Sequence, residues 1–507
     1  MSTLIPPAPP DKVPGNAPPA AMDAPAPQKL ASEISAKGLL ATAVVGLVIW
    51  FIPTPSGLEP NAWHLFAIFV ATIVGIIIKA APMGALSVAA IALSATTQVL
   101  SPGNPDKSMS LALSGFANST IWLIVSAFFV SRAVISSGLG TRMALQFVRI
   151  FGRSTLGLAY GLGLTDLALS PFIPSNTARA GGIVYPITKS ICLKSGSHPD
   201  GPSTYRNIGS YLALTGYNMN LAVSVVFFTG AAPNAIAAKF AANEGVEVSW
   251  TGWFLAAAVP ALVAVALVPL VVYVMDKPRL TKTPEAPKAA TAELKELGPM
   301  CRSEWITLGV FLLMIVLWIF GGDFISSTAV AFLGLAILLL TGTLTWKAMK
   351  SERAAWDTLV WFAALVMMGT QLGELGFVGW FGDNVGSWVK GLGFGTLGTF
   401  VLLTLLYAVA HYMFASGTAH AAAMFAVFFG VGLSLGLPGV PLAVFLGAIP
   451  TIFGCLTHYG NGPAPIYFGT GYVELGLWWR VGLVLGLMYA LIWVAIGIPW
   501  WMALGLW

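Results

Sequence analysis

Uninterrupted apolar segments follow one another along almost the whole chain, and they constrain its fold more than any other feature. Residues 251–274 and 477–497 are examples, the first without a charge and the second with only Arg480. About 20 apolar residues in a helix rising ~1.5 Å each will cross the roughly 30 Å hydrocarbon core of a bilayer. In that solvent a backbone must satisfy its own hydrogen bonds, which leaves helices and closed barrels. Barrel strands would alternate apolar and polar residues, whereas these segments are apolar throughout. Only 9% of the 507 residues are charged and 57% are hydrophobic, against about 25% charge in an ordinary soluble domain. Soluble enzymes, nucleic-acid binders and disulfide-stapled secreted proteins are excluded. The class expected is an all-α polytopic membrane protein, whose first partner is the lipid bilayer.

The net charge of +5 belongs to basic residues lying mostly between spans, as the positive-inside rule requires. Arg142, Arg149 and Arg153, and the run from Lys277 to Arg302, mark cytosolic segments and orient the N-terminus inward and the C-terminus outward. Cys192, Cys301 and Cys455 are scattered and suggest neither a disulfide framework nor a thiolate metal site. Paired tryptophans such as Trp478, Trp479, Trp500 and Trp501 fit interfacial anchors.

Residues 1–34, rich in Pro and Ala, read as a disordered cytosolic tail. No basic stretch, short apolar core and cleavage site open the chain, so no cleaved signal peptide is expected. Residues 35–275 hold a first helix and a first repeat, with a broken hairpin over 154–192 and a broken helix over 211–242. Residues 276–302 form a charged cytosolic connector with a short amphipathic helix at most, and 303–507 a second repeat, with its hairpin over 391–431 and broken helix over 443–471. The total is about eleven spans and two re-entrant hairpins. An odd number of crossings per repeat inverts one half relative to the other, the layout of secondary transporters that bind substrate at the repeat interface.

The chemistry is concentrated where the apolar segments break. Polar groups in hydrocarbon are costly unless paired or lining a cavity. Ser175, Asn176 and Thr177 sit at the first hairpin tip, where hydroxyls, an amide and free helix N–H groups suit a small anion. The second tip reads Ser416, Gly417, Thr418; glycine replaces the amide, and His420 and Tyr412 are near enough in sequence to supply what it lacks. The broken helices carry Gly230–Asn234 and Thr457–Pro465, including Asn234, Thr457, His458, Gly460, Asn461 and Pro463, whose glycines and prolines free backbone groups for a ligand. Arg179 offers a guanidinium fork for a carboxylate, or pairs with Asp166 to close the hairpin. His420 and His458 suit a proton or a hydrogen bond to substrate. His411, His420 and His458, without a carboxylate cluster, make no convincing metal site.

Three long motifs, PSNTARAGGIVYPI, HYMFASGTAHAAAM and LTHYGNGPAPIYFG, give the chain a family resemblance. Over nearly everything after about residue 35 it resembles the divalent anion:sodium symporter family. It is most similar to the branch of bacterial citrate/succinate and tartrate/succinate antiporters and plastid 2-oxoglutarate/malate translocators. The resemblance implies that the two tips and two broken-helix loops surround the substrate. It also implies a homodimer and an elevator-like motion of the hairpin-bearing unit. Sodium-coupled members keep SNT at both tips and a TPPN-like loop in both halves. This chain departs at Gly417 and at Gly460–Pro465, as the exchanger branch does, with a residual sodium position implied near Ser170, Ser175, Asn176 and Gly230.

The function expected is exchange of di- or tricarboxylates (succinate, malate, fumarate, 2-oxoglutarate, tartrate or citrate) across a bacterial inner membrane, without sodium, cofactor or covalent chemistry. The rivals are a sodium- or proton-coupled symporter, a metal-dependent membrane hydrolase using His411, His420 and His458, and a channel.

Overall fold

The computed structural model describes residues 34–199, 201–322, 324–390 and 393–507, and the tail expected over 1–34 lies almost wholly outside them. Every extended element among the described residues is helical; the sole β-type pairing there is an isolated bridge between Ser154 and Lys282. Among the described residues seven helices are long and apolar enough to cross a membrane, including Pro60–Ile77, Ser119–Ser137, Trp250–Met275 and Arg302–Phe320, and five shorter apolar helices accompany them. The chain is therefore an all-helical polytopic membrane protein.

Burial sorts these helices. Ala36–Phe51 buries no residue, so its apolar side chains face lipid. Gly209–Ser224 buries all but one of its residues and Gly439–Ile452 nearly all of its own. A helix that is apolar all round and buried all round belongs at the centre of the protein. Both central helices end abruptly in mid-protein. The first passes through a short 3₁₀ turn, Phe228–Gly230, into Ala232–Asn243. The second passes through Phe453–Cys455 and a loop into the five-residue helix Ala464–Phe468. Tyr217 donates to the Gly454 carbonyl (2.7 Å), tying the first central helix to the second break, and Tyr489 of Leu475–Ile492 donates to the Asn218 carbonyl (3.2 Å).

Beside the central pair lie two turn-and-return units. In the first, Thr155–Leu169 runs into a turn holding Pro171 and Pro174, and the chain returns from Asn176. The return is longer than the short arm expected from about residue 183. Helix runs from Asn176 to Lys194 through a π-helical segment, Ala180–Val184, which absorbs Gly181 and Gly182. The second unit consists of Thr396–Ala410 and Gly417–Ser434, joined by His411–Met413.

Among the elements additional to the sequence reading, two pack against helices already described or expected. Leu139–Phe151, read only as a basic marker, is an amphipathic helix that buries Leu145 and Val148 and packs against the connector helix Glu285–Leu297. Arg142 secures that junction, donating to Glu304 at 2.6 and 3.1 Å and to the Gly298 carbonyl at 2.9 Å. Phe377–Lys390 is a further helix against Gly417–Ser434. The tryptophan reading needs correction at two positions: Trp478 is fully buried against Tyr217 (ring centroids 4.8 Å) and Phe468 (5.4 Å), and Trp501 is fully buried and donates to the Ala256 carbonyl of Trp250–Met275 at 2.9 Å.

Candidate functional site

A small cavity of about 110 Å³ lies where the first tip, the second tip and both breaks meet. From the first tip, Ser175, Asn176 and Thr177 line it; from the second, Thr418; from the breaks, Ala232 and Pro233 on one side and Thr451 and Asn461 on the other. No charged side chain lines it.

The backbone explains this arrangement. Ser175 caps the returning helix, its Oγ accepting from the Ala178 N–H at 3.1 Å. Asn176 Oδ1 accepts from the Thr177 N–H at 2.9 Å, so its Nδ2 is left to donate to Asn461 Oδ1 at 3.3 Å. Asn461 Nδ2 in turn donates to the Thr451 carbonyl at 3.2 Å. Helices begin at the cavity at Asn176 and Ala232, and a third, Gly417–Ser434, reaches it through Thr418. A helix N-terminus carries about half a positive charge, a setting suited to an anion even where, as at the first tip, side chains already take the Thr177 and Ala178 N–H groups. Thr418 and Thr451 add hydroxyls with no hydrogen-bond partner among the described residues.

Behind the first tip lies a buried ion pair. Arg179 donates from Nε to Asp166 Oδ1 (2.5 Å), from one terminal nitrogen to the carbonyls of Ile173 (2.5 Å) and Gly230 (2.7 Å), and from the other to Ser224 Oγ (2.6 Å). Asp166 also accepts from Asn220 Nδ2 at 2.8 Å. Of the two roles open to Arg179, the geometry takes the pairing with Asp166: the guanidinium is fully buried and does not line the cavity. The residual sodium position anticipated near Ser170, Ser175, Asn176 and Gly230 meets the same guanidinium, which already holds the Gly230 carbonyl; Ser170 Oγ is turned to the Val223 carbonyl at 3.3 Å.

Several other anticipated residues are not brought to the cavity. Asn234 is fully buried and spans its own break, donating to the carbonyls of Ser224 (2.8 Å) and Phe227 (2.9 Å). Ser416 caps Gly417–Ser434 and faces a separate cleft beside Lys79 and Phe414. Gly417 serves packing: a Cβ there would lie 2.4 Å from the Pro450 carbonyl oxygen. Thr457, His458, Gly460 and Pro463 shape the second break without lining the cavity; the His458 ring packs at a tilt against Phe468 (centroids 4.8 Å apart), and a Cβ on Gly460 would meet Thr457 Oγ1 at 2.6 Å. His420 is buried one turn into its helix, against Tyr407 (ring centroids 4.2 Å apart) and His411 (5.2 Å). Among the described residues no group of three His, Cys, Asp or Glu side chains is placed to hold a metal ion.

The sequence reading missed Asn220 and Ser224, although an amide inside an apolar run was the available signal. It also missed Phe128, Thr358 and Trp361, which line the cavity from helices without any break.

Comparison with known proteins agrees in length as well as pattern. Residues 34–507 match the family described as the sodium:sulfate symporter transmembrane region. YflS of Bacillus subtilis, named for malate transport, is 50% identical over 471 residues, covering 92% of this chain and 96% of that one. The chloroplastic dicarboxylate transporter 1 of Spinacia oleracea is 43% identical, covering 93% and 82%. The citrate/succinate antiporter of Escherichia coli K12 is 38% identical, covering 91% and 97%. Among solved structures, the YdaH transporter of Alcanivorax borkumensis superposes with a TM-score of 0.55 at 15% identity, covering 92% of this chain and 96% of that one, a likeness of fold alone.

Proposed function

The chain belongs to the sodium:sulfate symporter (divalent anion:sodium symporter) family, and from that premise we propose that it exchanges di- or tricarboxylates across a bacterial inner membrane without sodium. The observation that carries this reading is the cavity itself. Three helix N-termini and neutral hydroxyl and amide groups surround it, and no fixed charge lines it. Such a site stabilises an anion through dipoles, and it releases that anion as readily as it takes it, which exchange requires. The names of the relatives point to malate, dicarboxylates, citrate and succinate as the class.

Sodium independence rests on Arg179. Its guanidinium already takes the Ile173 and Gly230 carbonyls beside the first tip. Carbonyls occupied in this way are not open as ligands for a sodium ion. The remaining features of the reading are two inverted repeats over 35–275 and 303–507, a homodimer, a cytoplasmic N-terminus and a periplasmic C-terminus. A proton-coupled symporter is the second reading, favoured by the buried pair His411 and His420 next to the second tip.

The test is uptake of radiolabelled succinate into proteoliposomes, with internal succinate, external sodium and pH varied separately. Exchange predicts uptake that needs internal dicarboxylate and ignores sodium. Uptake that needs sodium and ignores internal dicarboxylate would overturn it, and uptake driven by an inward proton gradient alone would establish the second reading.

A further inference from the structure

The cavity has a wall that the tips and breaks do not supply. Phe128 comes from Ser119–Ser137, and Thr358 and Trp361 from Arg353–Glu374, both continuous helices. Thr358 and Trp361 are three residues apart and share one helix face. All three are buried, with at most 8% of their surface exposed.

Thr358 departs from the usual bonding of a threonine in an apolar helix, as Thr215 and Thr451 also do. Threonines in apolar helices normally donate back to the carbonyl a turn earlier, as Thr72 does to Ile68 (2.8 Å) and Thr404 to Phe400 (2.8 Å). Thr358 makes no hydrogen bond among the described residues, and its side chain lines the cavity. A hydroxyl that lines the cavity and is unpaired within the described residues is free to donate to a ligand oxygen. The wall is also stiff. A Cβ on Gly115 would lie 2.0 Å from the Ala363 carbonyl oxygen, so the turn at Ser114–Ala117 sits in backbone contact with the helix bearing Trp361. Trp361 and Trp356 pack against Phe362 (5.4 Å) and Phe129 (5.3 Å) respectively.

Resting on the carboxylate reading above, we infer that this wall measures the bound anion: Thr358 Oγ1 donates to a carboxylate, and the rings of Trp361 and Phe128 exclude carbon backbones too long for the cavity. The tips recognise the charge common to the whole class, and the wall selects among its members by length. A rigid apolar wall discriminates by volume, and one methylene too many in such a site is worth roughly tenfold to two-hundredfold.

The experiment is inhibition of labelled succinate exchange in proteoliposomes by the homologous series succinate, glutarate and adipate. Wild-type protein should be inhibited progressively less as the acid lengthens. Trp361→Ala should lower the ratio of the adipate to the succinate inhibitory concentration by roughly tenfold. Thr358→Val should weaken all three acids together, by roughly tenfold, and Thr358→Ser should restore them. Should Trp361→Ala not fold, Trp361→Phe and Phe128→Leu are read by the same ratio. A ratio unmoved by any of these ring variants, in protein that still exchanges succinate, overturns the gauge and leaves the carboxylate reading standing. Wild-type protein that exchanges none of the acids overturns the carboxylate reading and the gauge with it.

Discussion

Asn176 at the first tip donates to Asn461 in the second break across 3.3 Å, joining positions 285 residues apart at the wall of one cavity. Each asparagine uses its remaining amide groups on nearby backbone: Asn176 on Thr177, Asn461 on Thr451 and Gly462. The contact therefore fixes the first tip against the second break and leaves the threonine hydroxyls facing the cavity.

If that contact acts as a unit, Asn176→Ala and Asn461→Ala should each abolish most succinate exchange while the protein still inserts. In binding measurements the double variant should cost less than the two single losses added, by about 0.5–3 kcal/mol as found for groups in contact. Simple additivity would mean that the two act independently.

The Arg179–Asp166 pair should behave as a buried charge network. Removing one partner of a buried pair typically costs about 3–5 kcal/mol, because the other charge is left uncompensated. Arg179→Ala and Asp166→Ala should therefore sharply lower the yield and melting temperature of the purified protein, as read by tryptophan fluorescence. Arg179→Lys should recover only part of this loss, since one ammonium cannot reach Asp166, Ser224 and the two carbonyls together.

Gly417→Ala tests whether the glycine in the second tip is there for packing. The added methyl meets the Pro450 carbonyl oxygen at 2.4 Å, so the tip must shift away from Gly439–Ile452. Overpacking of this kind costs about 1–3 kcal/mol, and the melting temperature and succinate exchange should fall together. Unchanged stability with lost exchange would assign Gly417 to the anion.

Asp276, just beyond Trp250–Met275, gives a pH signature. Burial, the larger effect, holds its carboxyl above the usual carboxylate range, although Ser210 donates to it at 2.5 Å and Arg206 is near. Where the folded state binds the proton more tightly, stability falls as pH rises through the raised pKa. Asp276→Asn keeps an acceptor for Ser210 and removes the buried charge. The variant should melt higher than wild type at neutral pH, and the gap should close as pH falls through that pKa toward the ordinary value near 4. A gap constant from pH 7 to pH 4 would rule out the charge as its cause.

How much of this was legible in the chain depended on the range of the interaction. Apolar runs long enough for a bilayer dictated an all-helical membrane protein, because hydrocarbon leaves a backbone few other choices. The breaks at Ser175–Thr177, Gly230–Asn234, Ser416–Thr418 and Thr457–Pro465 were visible for the same reason: proline, glycine and polar groups stand out in an apolar run. Which of those residues face the cavity was not visible. Asn234 and Asn461 look alike in sequence, yet the first is spent on the carbonyls of its own break and the second lines the cavity. The alternatives for Arg179 were separated only when folding brought Asp166, Ser224 and the Gly230 carbonyl around one guanidinium. Phe128, Thr358 and Trp361 carry no local mark at all, since a residue in an unbroken helix looks the same whether it meets lipid, protein or a cavity. Local chemistry determined that there is a site and of what kind, and tertiary packing alone decided which side chains complete it.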